Sequence, residues 1–323
     1  MKILVLGGTK FLGRAAVDAA LERGHEVTLF NRGETNPELF SEVEKLRGDR
    51  AVDLSPLDGR RWDAVLDPSG YFPDVLRRST EALRDSVGRY LFVSSISVYA
   101  DLSEGPHEES PRGELGDMPA DEMLEDYANY GPLKALSEDA VRDVFGDRAT
   151  IVRPGLVVGP HDPTGRFTYW PHRLARGGEV VVPAPPDRTV QFVDVRDLGR
   201  WLVELLERDE SGAFNATRSG VAWGELIDSA RAVTGSDAAP VWIPDDFLRQ
   251  HEVGEWMELP LWLADPEWVG MNRADVSRAE AKGLSHRPLE DTIRGTLEEA
   301  ETTDDAGMTP GREREVLEAW RRG

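Results

Sequence analysis

The sequence predicts an α/β fold: a doubly wound parallel sheet with a second, smaller lobe of mixed structure. Three observations lead there. Short apolar runs alternate with helical spacing from residue 2 to residue 154, a glycine-rich junction follows the first run, and beyond Pro154 the alternation gives way to chain rich in glycine, proline and aromatics.

In order, residues 2–6 (KILVL) form an apolar run closed by Gly7 and Gly8, and residues 11–23 carry apolar side chains at helical spacing up to Gly24. A β-branched run at 26–30 (EVTLF) completes one βαβ unit with its right-handed crossover. The alternation continues through a strand at 62–67 (WDAVLD), a helix at 75–87, a strand at 89–95 (RYLFVSS), a helix at 130–145 and a strand at 149–154 (ATIVRP). TVQFVDV (189–195) then reads as a strand, 197–208 as a helix and 213–217 (AFNAT) as a strand. The expected division assigns 1–155 and 189–217 to the sheet domain, and 156–188 with 218–323 to the second lobe. There Trp242, Trp256, Trp262 and Trp268 lie among Pro244, Pro260 and Pro266. The stretch 101–126 is acidic (Asp101, Glu104, Glu108, Glu109, Glu114, Asp117, Asp121, Glu122, Glu125, Asp126) and is expected to be an exposed loop or lid.

Composition excludes several classes of function. The chain has 323 residues, which at roughly 150 per domain means one large domain or a core plus a lobe. Its charge is −22, which repels phosphate backbones and anionic lipid, so neither nucleic acid nor membrane is an expected partner. With no cysteine and six scattered histidines, no disulfide, thiol nucleophile or metal site is expected. The amino-terminal apolar run is too short for a signal segment, and a cytoplasmic location is expected. Five of the 38 basic residues are lysine (Lys2, Lys10, Lys45, Lys134, Lys282), so each lysine's position is informative.

Between a strand and a helix, Gly7, Gly8, Thr9, Lys10, Phe11, Leu12 and Gly13 (GGTKFLG) supply glycines where the backbone turns, and leave helix amides facing a pyrophosphate. This is the dinucleotide site of a Rossmann sheet, with Lys10 at the usual middle glycine. The second strand ends FNRG. Asn31 and Arg32 bring no carboxylate to repel a 2′-phosphate, and Arg32 with Lys10 offers two cations, which favours NADP over NAD. Asp49 and Arg50 in RGDR, Ser69 and Gly70 in DPSGY, Tyr130 and Lys134 in YGPLK, and Pro154 complete the expected cofactor contacts.

Tyr130 and Lys134 in YGPLK are four residues apart and share one helix face. Pro132 suits only a first turn, which puts Tyr130 at the helix mouth with Asn129 as the expected cap. A phenol with a reference pKa of about 10 needs help to act as a base, and a nearby ammonium with an oxidised nicotinamide provides it. Lys134 also suits the nicotinamide ribose hydroxyls. Ser97, just past a strand at the carboxyl edge of the sheet, is placed to hold a substrate oxygen.

GGTKFLG, SSISVY (94–99), YGPLK and RPGLVVGP (153–160), in this order, resemble the short-chain dehydrogenase/reductase superfamily, in particular its extended epimerase/dehydratase-like branch. VDVRDL and FNAT extend the resemblance over most of the chain, and the glycine loop looks most like an atypical subgroup. The resemblance implies a Ser97, Tyr130, Lys134 triad with Tyr130 as acid/base and hydride transfer at the nicotinamide. It also implies a homodimer. Two departures stand out. Residues 73–86 contain no asparagine where most members have one, and Leu156 and Val158 replace the Asn and Tyr of sugar-nucleotide enzymes. Substrate candidates are Tyr71, His161, Trp170 and Gln191, with Phe167, Tyr169 and Arg173 beside them. The expected function is an NAD(P)-dependent oxidoreductase or epimerase/dehydratase acting on a small molecule. The alternative is a non-catalytic dinucleotide sensor, or an RNA-binding protein like the chloroplast stem-loop binders of the same subgroup.

Overall fold

The computed structural model describes residues 1–116, 129–300 and 305–323. They divide into two units, one of residues 1–155, 195–217 and 274–285, the other of 156–194, 218–273 and 286–323.

Unit 1 is built in chain order from β1 (Lys2–Leu6), α1 (Phe11–Glu22), β2 (Glu26–Asn31), β3 (Glu44–Arg47), β4 (Trp62–Asp67), α2 (Pro73–Leu83), β5 (Val87–Val93), α3 (Tyr130–Phe145) and β6 (Ala149–Pro154). The chain passes through unit 2 as β7 (Leu156–Val158), α4 (Tyr169–Ala175), β8 (Glu179–Pro183), β9 (Thr189–Val190) and β10 (Phe192–Asp194), then returns as α5 (Val195–Glu207) and β11 (Gly212–Ala216). Seven parallel strands pair in the order β11-β6-β5-β4-β1-β2-β3. Strand order therefore reverses between β1 and β4, and the crevice at their carboxyl ends is where such sheets take ligands.

The strands are apolar because both sheet faces are covered. Ile3, Leu4, Val5 and Leu6 are all buried. Helices α1 and α5 meet at backbone distance: a Cβ on Gly199 would lie 2.8 Å from the carbonyl carbon of Ala15. Two expected boundaries move. The helix expected at 75–87 ends at Leu83, because Val87 pairs with Trp62 in the sheet. TVQFVDV breaks at Gln191, since β9 pairs with Val221–Ala222 and β10 with β7.

The acidic stretch is only partly a surface loop. Glu108 is buried, accepting from the Asn215 amide at 2.9 Å while its carbonyl accepts from Arg153. Asp117, Asp121, Glu122, Glu125 and Asp126 lie outside the described residues. Unit 2 has its own core, in which Trp170, Trp223, Trp262, Phe167 and Phe192 surround the valines of β8.

Candidate active site

Gly7 and Gly8 leave β1 with φ of +112° and +90°, a region open to glycine and costly for other residues. A side chain on Gly8 is excluded twice over, because its Cβ would fall 2.8 Å from Leu29 Cδ2. Gly13 closes the turn, its Cβ position being 3.1 Å from the Gly8 nitrogen. Lys10 needs no glycine's freedom: it is extended (φ −134°, ψ 135°) and exposed, and Phe11 takes the positive φ of 40° instead. No carboxylate stands in the first turn of α1. The tight glycine turn thus leads into a helix end that carries positive partial charge and no carboxylate, which suits a pyrophosphate. Thr9 and Leu12 are buried, with the Thr9 carbonyl held by Asn36 at 2.8 Å.

The residues after β2 have internal partners. Asn31 braces the loop, donating to the Gly7 carbonyl at 2.8 Å and accepting from the Gly33 amide at 3.0 Å and from Arg47. Arg32 is exposed and pairs with Glu34 at 3.1 Å. Arg47 ends β3 in register with Asn31 and is a third cation at this edge. Asp49 caps a turn by accepting from the Ala51 amide at 2.9 Å. Arg50, expected at the cofactor, is gripped by Asp67. Ser69 donates to the Leu6 carbonyl at 2.8 Å and sits 3.4 Å from the Cβ position of Gly7, so the ends of β1 and β4 are tied at the crevice. Pro154 ends β6, buried and in register with Ala216.

Ser97 lies half-buried in a 3₁₀ turn, Ile96–Val98, capped by Ser95, whose oxygen accepts from the Ser97 amide at 3.1 Å and donates to Ser97 Oγ at 3.0 Å. Helix α3 docks on this turn through Gly131: a Cβ there would lie 1.9 Å from the Ser97 carbonyl oxygen. No side chain fits, so glycine is what lets Tyr130 stand beside Ser97. Gly131→Ala is expected to separate them and lower turnover at least about tenfold, since misplacement by about 1 Å costs that much or more. A crystal structure of the variant with Tyr130 and Ser97 undisplaced would refute this. Asn129 makes no side-chain capping bond, contrary to expectation.

Lys134 is 3% exposed, and its ammonium donates to the carbonyls of Gly70 at 2.7 Å and Val93 at 3.1 Å. It lies 4.8 Å from the Tyr71 ring centroid, 4.9 Å from Phe92 and 5.9 Å from Tyr130. Burial lowers its pKa to about 8, with Asp67 and Glu138 opposing the shift and Arg50 adding to it. Unit 1 therefore brings Ser97, Tyr130, Lys134, Tyr71, Ser69 and Gly70 to one sheet edge.

The unit 2 candidates are otherwise engaged. Trp170 is fully buried, donates to the Pro260 carbonyl at 3.0 Å and meets Trp223 edge-on at 4.8 Å, so it is core rather than a ligand contact. Phe167 and Tyr169 are buried with it, and Arg173 binds Glu313 at 2.7 Å. His161 pairs with Glu299 at 3.0 Å. Gln191 is buried, its backbone N–H donating to Asn272 Oδ1 at 2.9 Å.

Sequence reading missed Arg47, Asp67, Tyr90, Glu138 and Arg153. A carboxylate closing an apolar run, as Asp67 does after Ala64, Val65 and Leu66, is the one local signal of a buried pair. Among the described residues, no cluster of His, Asp or Glu could hold a metal ion, and no helix is long and apolar enough to cross a membrane.

Residues 73–217 match the model of the NAD dependent epimerase/dehydratase family. The chloroplast stem-loop binding protein of 41 kDa b from Arabidopsis thaliana is 26% identical over 74% of this chain, and the match spans 64% of that relative's length, under two thirds. The epimerase family protein SDR39U1 of Bos taurus is 28% identical, over 76% of this chain and 83% of its own. Among solved structures, the Bordetella bronchiseptica enzyme WbmH in complex with NAD+ aligns with a TM-score of 0.68 at 20% identity, covering 92% of this chain and 97% of that one. That likeness carries the fold. The family match falls on the segment bearing Ser97, Tyr130 and Lys134, and over that segment, within the seven-stranded fold, the chain is similar to the NAD dependent epimerase/dehydratase family.

Proposed function

We propose that the protein is an NADP(H)-preferring oxidoreductase or epimerase/dehydratase acting on a small hydroxyl or carbonyl compound. The observation that carries this is the buried ammonium of Lys134 on the same helix face as Tyr130, with Gly131 seating that helix on Ser97. Gly7, Gly8 and Gly13 hold the pyrophosphate, with Ser69 and Gly70 beside it. When bound, the dinucleotide supplies or accepts hydride at its nicotinamide ring.

The chain's own residues do the rest. Tyr130 gives its phenolic proton to the substrate oxygen in reduction and takes it back in oxidation. Ser97 Oγ, already accepting from Ser95, has its own hydrogen to donate to the same oxygen. Lys134 has two donors committed to carbonyls, leaving one for a ribose hydroxyl, and its charge favours the phenolate. Tyr71, 48% exposed beside Lys134, is a substrate contact. The charge of −22 speaks against RNA as the ligand.

NADP preference rests on Lys10, Arg32 and Arg47 and on Asn31 where an NAD-specific site has a carboxylate. Two measurements test the reading. NADPH oxidation over a panel of small aldehydes, ketones and keto-sugars is expected to find turnover exceeding that with NADH; a panel with no NADPH oxidation refutes the net reductase, and a panel with neither oxidation nor isomerised or dehydrated product refutes the enzyme. Lys10→Glu with Arg32→Asp is expected to shift the NADPH/NADH preference at least about tenfold towards NADH, as removing two phosphate contacts should. An unchanged ratio would place the 2′-phosphate elsewhere.

A further inference from the structure

The turn after β4 is fastened more firmly than a turn requires. Arg50 donates NH1 to Asp67 Oδ1 and NH2 to Oδ2, each at 2.8 Å, while its Nε reaches Ser79 Oγ at 3.2 Å. The Tyr90 hydroxyl donates to Asp67 Oδ2 at 2.6 Å, and the Ser69 amide donates to Oδ1 at 3.2 Å. Asp67 is wholly buried. Three residues on, the Gly70 carbonyl accepts from Lys134. Gly70 itself is boxed in, its Cβ position lying 2.6 Å from Leu76 Cδ1 and 2.7 Å from Phe92 Cε2.

For stability alone, well-packed apolar side chains would serve as well as a buried ion pair. An ionic network adds direction. The Asp67 carboxylate takes donors from the chain after β3, from β5 and from its own turn, so the orientation of residues 67–70 is over-determined. One end of that turn meets the ammonium. Asp67 and Arg50 also act on Lys134 with opposite sign, so the pair works on it through geometry more than through net charge.

We propose that Arg50 is a positioning residue for Lys134: by locking Asp67 it fixes the turn to Gly70, whose carbonyl, with that of Val93, aims the ammonium at the nicotinamide ribose. This rests on the dinucleotide reading above. It gives Arg50 a role one step removed from the cofactor, in a chain with no asparagine in α2.

The test is a double-mutant cycle of Arg50→Met and Lys134→Met on the full chain, read as the NADPH dissociation constant by nicotinamide fluorescence, which needs no substrate. Losing the donor at Lys134 is expected to weaken NADPH about tenfold. Arg50→Met alone is expected to weaken it about fivefold, and to add less than about twofold in the Lys134→Met background. A fivefold loss persisting in that background overturns the proposal, because Arg50 would then reach the cofactor without Lys134. Should Arg50→Met not fold, Arg50→Lys keeps the cation but loses the fork. It is expected to weaken NADPH about threefold alone and negligibly beside Lys134→Met. No change alone, or an additive one, overturns the proposal equally. A parent chain that binds neither NADPH nor NADH removes the dinucleotide reading itself, a result distinct from additivity in a chain that binds.

Discussion

Tyr130→Phe is expected to lower turnover by about 10² to 10⁴-fold and to change NADPH affinity by less than about threefold. The substitution deletes one oxygen. The ring remains, 5.9 Å from the Lys134 ammonium, and Gly131 still seats α3 on the Ser97 carbonyl. The substitution leaves Gly7, Gly8 and Gly13 unchanged, so binding and chemistry should separate in kcat rather than KM. Steady-state rates with the best substrate of the carbonyl panel, beside a cofactor titration, measure both. Turnover within tenfold of the parent would assign the proton to another group.

Glu138→Gln is expected to destabilise unit 1 by about 3–5 kcal/mol, because it leaves a buried guanidinium without its partner. Arg153 is 2% exposed and Glu138 fully buried. Arg153 donates from Nε at 2.8 Å and from NH2 at 2.7 Å to the two Glu138 oxygens, and from NH1 to the Tyr99 hydroxyl at 2.9 Å. Arg142 and Arg112 approach the same carboxylate at 3.2 and 3.4 Å. This network ties α3, one turn past Lys134, to β6 and to the residue that ends the Ser97 turn. Replacing both partners, Glu138→Leu with Arg153→Met, is expected to cost less than Glu138→Gln alone, since no fully buried charge is then stranded, and Arg142 and Arg112 keep Asp139. Urea unfolding followed by circular dichroism compares the two, and a double variant less stable than the single one would sink the argument.

The same carboxylate sets a pH dependence. Burial opposes its charge, but the Arg153 fork, with Arg142 and Ser94, holds Glu138 below the usual glutamate range. Its folded pKa is depressed, so its contribution is complete above the unfolded value of about 4.3 and is lost as pH falls through the folded one.

Much of the site was legible because it depends on short-range geometry. A helix brings residues four apart to one face whatever surrounds it, so YGPLK announced the pairing of Tyr130 with Lys134. Gly7, Gly8 and Gly13 reported where the backbone turns and where chains approach. Aromatic residues misled. Trp170 has the size and polar handle of a ligand contact, yet the same properties suit a core side chain whose indole N–H finds the Pro260 carbonyl. Arg50 misled for a related reason, since a guanidinium placed near a nucleotide loop serves a phosphate or a buried carboxylate equally well.

The sequence by itself determined the alternation of strands and helices, the glycine turn after β1, the seating of Tyr130 at a helix mouth and the lack of thiol chemistry. These follow from periodicity, backbone freedom and composition, which act within a turn or two of chain. Only the tertiary structure decided which multivalent side chain answers to which partner: Asn31 to the Gly7 carbonyl, Arg50 to Asp67, Arg153 to Glu138. Each choice is a competition between solvent, ligand and distant chain for the same donors. Burial settles it, because an unpaired polar group in the interior costs more than any alternative pairing.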